Sequence, residues 1–213
     1  MKKSFIFSLL YSCSLIASDY IYHISPISQN LKRHMIQNGS YHKGCPVSID
    51  KLRYITLTYK DFYGDIKKGE MIVHKDIASN VVNIFKELYE IGYPIHRMSL
   101  VSHFGGNDWK SIEADNTSAF NCRNATGTNH FSKHAYGKAI DINPIENPYI
   151  SKSGHISHKA SLKFRVRKHI DNSPQDRAMI IKGDKALEIF KKYGFIWGGE
   201  WKSVKDYQHF SHP

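Results

Sequence analysis

A chain that gathers metal-binding side chains from two distant segments is restricted in how it can fold, and this one carries the residues for it. Residues Ser132 to Asp141 read Ser-Lys-His-Ala-Tyr-Gly-Lys-Ala-Ile-Asp, and a further imidazole waits at His209. A neutral imidazole at His134 and a carboxylate at Asp141 both suit a divalent zinc ion, and His209 completes a set of three. Gly137 lets the backbone turn between the first two. From Lys138 to Ile142 the alternation sends Ala139 and Asp141 to one face and Ile140 and Ile142 to the other. That places a carboxylate at a strand end facing a loop imidazole, with small Ala139 leaving space beside a metal. Structural zinc sites usually have four protein ligands, so three with an open position point to a catalytic one.

In a chain with 13 histidines, one His and one Asp seven positions apart are weak evidence by themselves. The second half strengthens it: in Asp206-Tyr-Gln-His209-Phe210 a carboxylate precedes the third ligand by three residues. A water activated by a metal needs a base to take its proton and return it to a leaving amine, and Asp206 is suited to that work. The His-Glu-x-x-His spacing of helix-borne metalloproteases is absent.

The pattern Ser132-x-His134-x-x-Gly137-x-Ala139-x-Asp141, then Gly198-Gly199-x-Trp201 and Asp206-x-x-His209-Phe210, resembles the zinc D-Ala-D-Ala carboxypeptidase family over roughly residues 95–212. That family also contains L-alanyl-D-glutamate endolysins and is related in fold to the Hedgehog signalling domain. The resemblance implies zinc held by His134, Asp141 and His209, rather than by His212 three residues further on. It implies Asp206 as general base and Arg123 as a substrate or oxyanion contact. Ser132, Ser118 and Trp201 are the substrate-side candidates. Several members carry Glu where this chain has Asp206, and the shorter side chain resembles the endolysin branch. The implied activity is hydrolysis of peptidoglycan stem peptides, of the D-Ala-releasing type. Alternatives are an L-Ala-D-Glu endopeptidase and a non-catalytic zinc-containing wall-binding or signalling domain. The implied fold is α+β, with a small antiparallel sheet and helices mainly on one face.

Met-Lys-Lys followed by the apolar run Ser4 to Ala17, with small Ala17 and Ser18 as a cleavage site, reads as an export signal over residues 1–18. Competing readings are a membrane anchor, for which the run is short, and a lipoprotein signal at Leu10-Tyr11-Ser12-Cys13. Export makes the mature protein periplasmic or secreted and leaves Cys45 and Cys122, which either pair in the oxidising compartment or stay as buried free thiols. The formal charge of +11, less Lys2 and Lys3, becomes 11 − 2 = +9. Such a chain is drawn to anionic polymers or phospholipid surfaces, although a lysine-rich composition alone also accounts for it. No nucleic-acid signature accompanies the scattered basic residues, and no later stretch is apolar enough to cross a bilayer. A monomer is expected.

At 213 residues the chain fits one domain with an extension, read as an N-terminal segment 19–75 packed on a zinc peptidase domain 76–213. A short helix is expected at Asn30–Ile36, a strand at Leu52–Phe62, a turn at Gly64 and Gly69, and a returning strand at Glu70–His74. Asp76 is the expected N-cap of a helix whose stripe is Ile77, Val81, Ile84, Phe85 and Leu88, ended by Gly92 and Pro94. Ile95–Val101 is read as a strand and Gly105–Asp108 as loop. A weakly patterned basic stretch runs to Arg177, with His155, His158, His169, Arg165 and Arg167 expected in solvent. Gly183–Tyr193 reads as a second helix, Phe195–Trp201 as a strand entering a glycine turn, and Tyr207–Phe210 as a final strand. Trp197, Trp201 and Tyr207 are expected as walls of the core or cleft.

Overall fold

Apolar alternation sets up the first sheet of the computed structural model, which describes residues 20–213; the export signal read over 1–18, with Cys13, lies outside them. Strands β1 (Tyr22–Pro26), β2 (Leu52–Lys60) and β3 (Ile66–His74) pair antiparallel in that order. Ile55, Leu57 and Tyr59 of β2 enter one core, and Leu52 enters another on the opposite face. The smaller core packs Met35 of α1 (Gln29–Gln37) against Ile72 and Phe120. Ser28 Oγ caps α1 by accepting from Leu31 N at 3.2 Å.

Two glycines in the hairpin do different work. Gly64 sits at φ +84° in the turn, where the left-handed region favours it. Gly69 lies inside β3, which starts at Ile66 rather than Glu70; a Cβ there would meet Met98 Sδ at 2.6 Å. It is a packing glycine, not the turn residue that its identity suggested.

Helix α2 (Ala78–Glu90) buries the expected stripe, with Ile84 and Leu88 fully inaccessible. Burying each such side chain contributes about 1.5–3 kcal/mol. The chain enters α2 through a 3-10 turn at Lys75–Ile77, in which His74 Nδ1 accepts from Asp76 N at 3.3 Å. Asp76 is therefore not the cap. Only Arg97–Met98 (β4) of the stretch read as a strand pairs, parallel to β5 (Asn116–Thr117), because Val101–Phe104 coils into a 3-10 turn. Residues 105–107 are loop as expected, and helix α3 (Asp108–Glu113) begins at the last residue read as loop, Asp108.

The C-terminal half builds a second antiparallel sheet, order β6-β10-β8, from Ala139–Asp141 (β6), Ile196–Trp197 (β8) and His209–Ser211 (β10). A two-stranded ribbon joins β7 (Tyr149–Ile150) to β9 (Lys205–Asp206). Short α4 (Pro174–Ala178) and α5 (Lys185–Lys192) complete the α+β architecture. Strand β8 stops at Trp197 because Gly198–Glu200 turn into a 3-10 helix. Phe210 stacks on Phe190 of α5 with centroids 3.9 Å apart, in the same core that holds Ile55, Met71 and Val73 of the first sheet. Gly137 (φ +68°) donates no side chain there: a Cβ would meet His74 N at 2.7 Å, the donor to Gly137 O. The turn between His134 and Asp141 thus rests directly on the N-terminal hairpin. Cys45 and Cys122 are disulfide-bonded, with Cα atoms 5.8 Å apart. No helix among the described residues is long and apolar enough to cross a membrane.

Candidate metal centre

Strand register brings the distant donors together. Asp141 of β6 stands directly opposite His209 of β10. On its other side, Asp141 exchanges both backbone hydrogen bonds with Ser118, at 2.8 and 2.9 Å. His134 rides on the 3-10 turn Lys133–Tyr136, whose first residues are fixed by Ser132 Oγ accepting from His134 N at 3.3 Å.

Three donor groups then face one another: His134 Nε2 to Asp141 Oδ2 at 3.2 Å, His209 Nδ1 to Asp141 Oδ1 at 3.0 Å, and His134 Nε2 to His209 Nδ1 at 3.1 Å. Donors about 2.0–2.1 Å from a tetrahedral zinc stand about 3.3 Å apart, close to these spacings. His134 Nδ1 lies 2.5 Å from Ala119 O, a partner that only an N–H satisfies. That fixes the tautomer and leaves the Nε2 lone pair aimed into the triangle, the arrangement by which a carbonyl orients a metal-binding imidazole. All three residues are buried. The donor set and its geometry fit a zinc ion.

The electrostatics agree. Burial would raise the Asp141 carboxyl, but the two imidazoles outweigh it and hold it well below the usual carboxylate range. Burial would lower His209, yet the Asp141 carboxylate raises it. Asp206 differs: burial, with the Asp141 carboxylate adding, outweighs the His209 and His134 imidazoles and pushes it up to about 6. Its Oδ1 is enclosed without a hydrogen-bond partner. Gly198 makes this placement possible, because a Cβ there would lie 2.5 Å from Asp206 O.

These groups open onto a cleft of about 760 Å³ whose walls include Arg123, Ser132, Trp201 and Asp206. The Trp201 ring lies 5.3 Å from that of His209. Arg123 pairs with Asp108 at 2.8 Å. Ser118 is brought to Asp141 by its backbone, but it is buried and does not line the cleft, so a direct substrate contact from its side chain is not what the structure offers. His212 lies outside the triangle, with its ring 5.3 Å from that of Phe195.

Two residues read as solvated, Arg167 and His158, are not fully so. Arg167 donates to Glu146 O (2.6 Å), Asn147 Oδ1 (2.7 Å), Ile180 O (2.9 Å) and Phe164 O (3.1 Å). Its guanidinium lies over the Tyr207 ring. It is an internal strut beside the centre, whereas Arg165 is exposed as expected. His158 packs on Trp109 with ring centroids 3.9 Å apart and both line the cleft; His155 and His169 are exposed as expected, His169 between Asp176 and Asp184. Trp109 went unnoticed in the sequence, where its only signal was a large aromatic just beyond a Gly-Gly loop. Trp197 belongs to the core, its Nε1 donating to Tyr207 O at 2.8 Å. A second group, His42 with Cys45 and Cys122, brings metal-type donors together, but its two sulfurs are used by the disulfide.

No curated protein and no solved structure matches the chain. Residues 126–212 match the D-alanyl-D-alanine carboxypeptidase family, a stretch that contains the three donors and Asp206 but stops short of Arg123.

Proposed function

We propose that this chain is an exported zinc-dependent peptidase that hydrolyses peptidoglycan stem peptides, of the D-Ala-releasing carboxypeptidase type. The observation that carries the proposal is the meeting of His134, Asp141 and His209 beside a carboxylate, Asp206, that has an enclosed oxygen without a partner. A binding module needs the first three and has no use for the fourth. Export is supported by the basic, then apolar, first residues and by a disulfide, which suits an oxidising compartment.

Bound at the triangle, zinc supplies Lewis-acid polarisation of a carbonyl and lowers the pKa of water. The chain's own groups do the rest. Asp206, held near 6 by burial, is ionised enough at neutral pH to take a proton from the attacking water. Once protonated it can hand that proton to the leaving amine. Arg123 offers charge-assisted donors to an oxyanion forming in the cleft. Ser132 fixes the turn that aims His134, and Trp201 walls the side nearest His209.

Digesting purified muropeptides with the mature protein, with and without a chelator, and weighing the products tests this. Loss of a terminal D-Ala that stops on chelation is the expected result. Cleavage after L-Ala instead would select the endopeptidase reading, which the aspartate at position 206 favours. No product at any protein concentration would leave a non-catalytic zinc domain.

A further inference from the structure

We propose that Asp108 is a positioning residue: its carboxylate holds the Arg123 guanidinium in the cleft beside the metal centre, ready to meet the developing oxyanion. This rests on the peptidase reading above and adds to it a residue outside the matched stretch.

The geometry begins with the ion pair, Asp108 Oδ2 to Arg123 NH2 at 2.8 Å. Arg123 NH1 donates to Asn124 O at 3.1 Å, while its Nε is withdrawn from solvent and has no partner. NH1 and NH2 are thus each tied down by one bond, and each carries a second N–H for an incoming acceptor. Asp108 and Arg123 line the same cleft as His134, Asp141 and His209.

Both ends of the pair stand on backbone fixed by other means. Asn107 Oδ1 accepts from Lys110 N at 3.0 Å, which starts α3 at Asp108. Asn121 Nδ2 donates to Gly106 O at 3.1 Å, and Gly106 (φ +67°) packs so close to Gly39 that a Cβ would stand 2.6 Å from its carbonyl carbon. Next to Arg123, Cys122 is bonded to Cys45. The loop needs no ion pair to keep its shape, and a partly exposed pair contributes about 0–1 kcal/mol to stability. What the pair does accomplish is to restrict a long side chain with many rotamers to one placement, so that its ordering is not charged against the transition state.

The test compares wild type, Asp108→Asn, Asp108→Glu, Arg123→Ala and the Asp108→Asn/Arg123→Ala double variant on the muropeptide that the wild type cleaves. Asp108→Asn is expected to lower kcat about 10- to 100-fold with KM within about twofold, with zinc content and melting temperature unchanged. Asp108→Glu should recover part of the loss. In the Arg123→Ala background Asp108→Asn should cost nothing further, because a positioning residue acts only through its partner. An unchanged kcat, a raised kcat (meaning that Asp108 keeps Arg123 from substrate), or additive losses would overturn the proposal. Nitrogen-15 NMR of the arginine side chains supplies a readout that needs no turnover: the Arg123 Nε–H should be protected from exchange in wild type and lose that protection in Asp108→Asn. Identical spectra would overturn the positioning role. A wild type inactive on every muropeptide would instead sink the peptidase reading, and the NMR comparison would still decide whether Asp108 orders Arg123.

Discussion

Glu146 and Asp115 form a buried acidic pair, and replacing Glu146 by Gln should change how stability depends on pH. Glu146 is almost fully inaccessible and its Oε2 has no hydrogen-bond partner, surroundings that an ionised carboxylate tolerates poorly. Burial first, then the Asp115 carboxylate, pushes Glu146 up from an ordinary value near 4.5 to about 9. Burial raises Asp115 as well. The folded protein therefore keeps a proton at neutral pH that the unfolded chain releases above about 4.5. With more protons bound in the native state, stability falls as pH rises between about 4.5 and about 9, by at most about 1.4 kcal/mol per pH unit. From pH 5 to pH 8 that sets a ceiling of about 4 kcal/mol, and local relaxation around the ionised pair reduces the expected loss to about 1–2 kcal/mol. Glutamine keeps a donor for Asp115 and does not titrate. Urea unfolding of wild type and Glu146→Gln at pH 5, 6, 7 and 8, disulfide intact and zinc in excess, isolates the effect because all other titrating groups are common to both. The variant should gain about 1–2 kcal/mol relative to wild type across that range. Parallel stability curves would refute the protonated pair.

Asp206→Ala should retain zinc by elemental analysis and lose about 10²- to 10⁴-fold in turnover, whereas His209→Ala should lose the metal; release of zinc by Asp206→Ala with no change in residual rate would reverse these roles. Gly198→Ala places a Cβ 2.5 Å from Asp206 O, so β9 must shift; turnover should fall at least about tenfold with zinc retained, and stability by about 1–3 kcal/mol. A Cys45→Ser/Cys122→Ser double variant opens a link across 77 positions and should unfold about 4 kcal/mol more easily in denaturant by the loop-entropy relation. Arg167→Met leaves Glu146 O, Phe164 O and Ile180 O without this donor, while Asn147 Oδ1 keeps Ile180 N, and the expected loss in urea midpoint corresponds to about 3 kcal/mol.

What could be read from the sequence and what could not divide along the range of the forces involved. The α2 stripe was legible because helical spacing of Val81, Ile84, Phe85 and Leu88 is a local pattern with one stable burial. The three metal-type donors were legible because few side chains ligate a cation and strand alternation aims Asp141. Arg167 was illegible: a charged side chain reads as solvated until its acceptors are known, and those come from residues 146, 147, 164 and 180. Gly69 was misread as a turn because its requirement lies in Met98, 29 positions away in the chain and in contact only after the sheet forms. Trp109 and His158 are likewise a wall only as a pair. The same division runs through the site itself. Asn147 carries two of these distant ties at once: its Oδ1 accepts from Arg167 and Ile180 N, while its Nδ2 donates to Ile142 O, the residue next to Asp141. The donors of the centre therefore announce themselves by type, and the strut that keeps them in register is made of residues whose importance exists only through partners elsewhere in the chain.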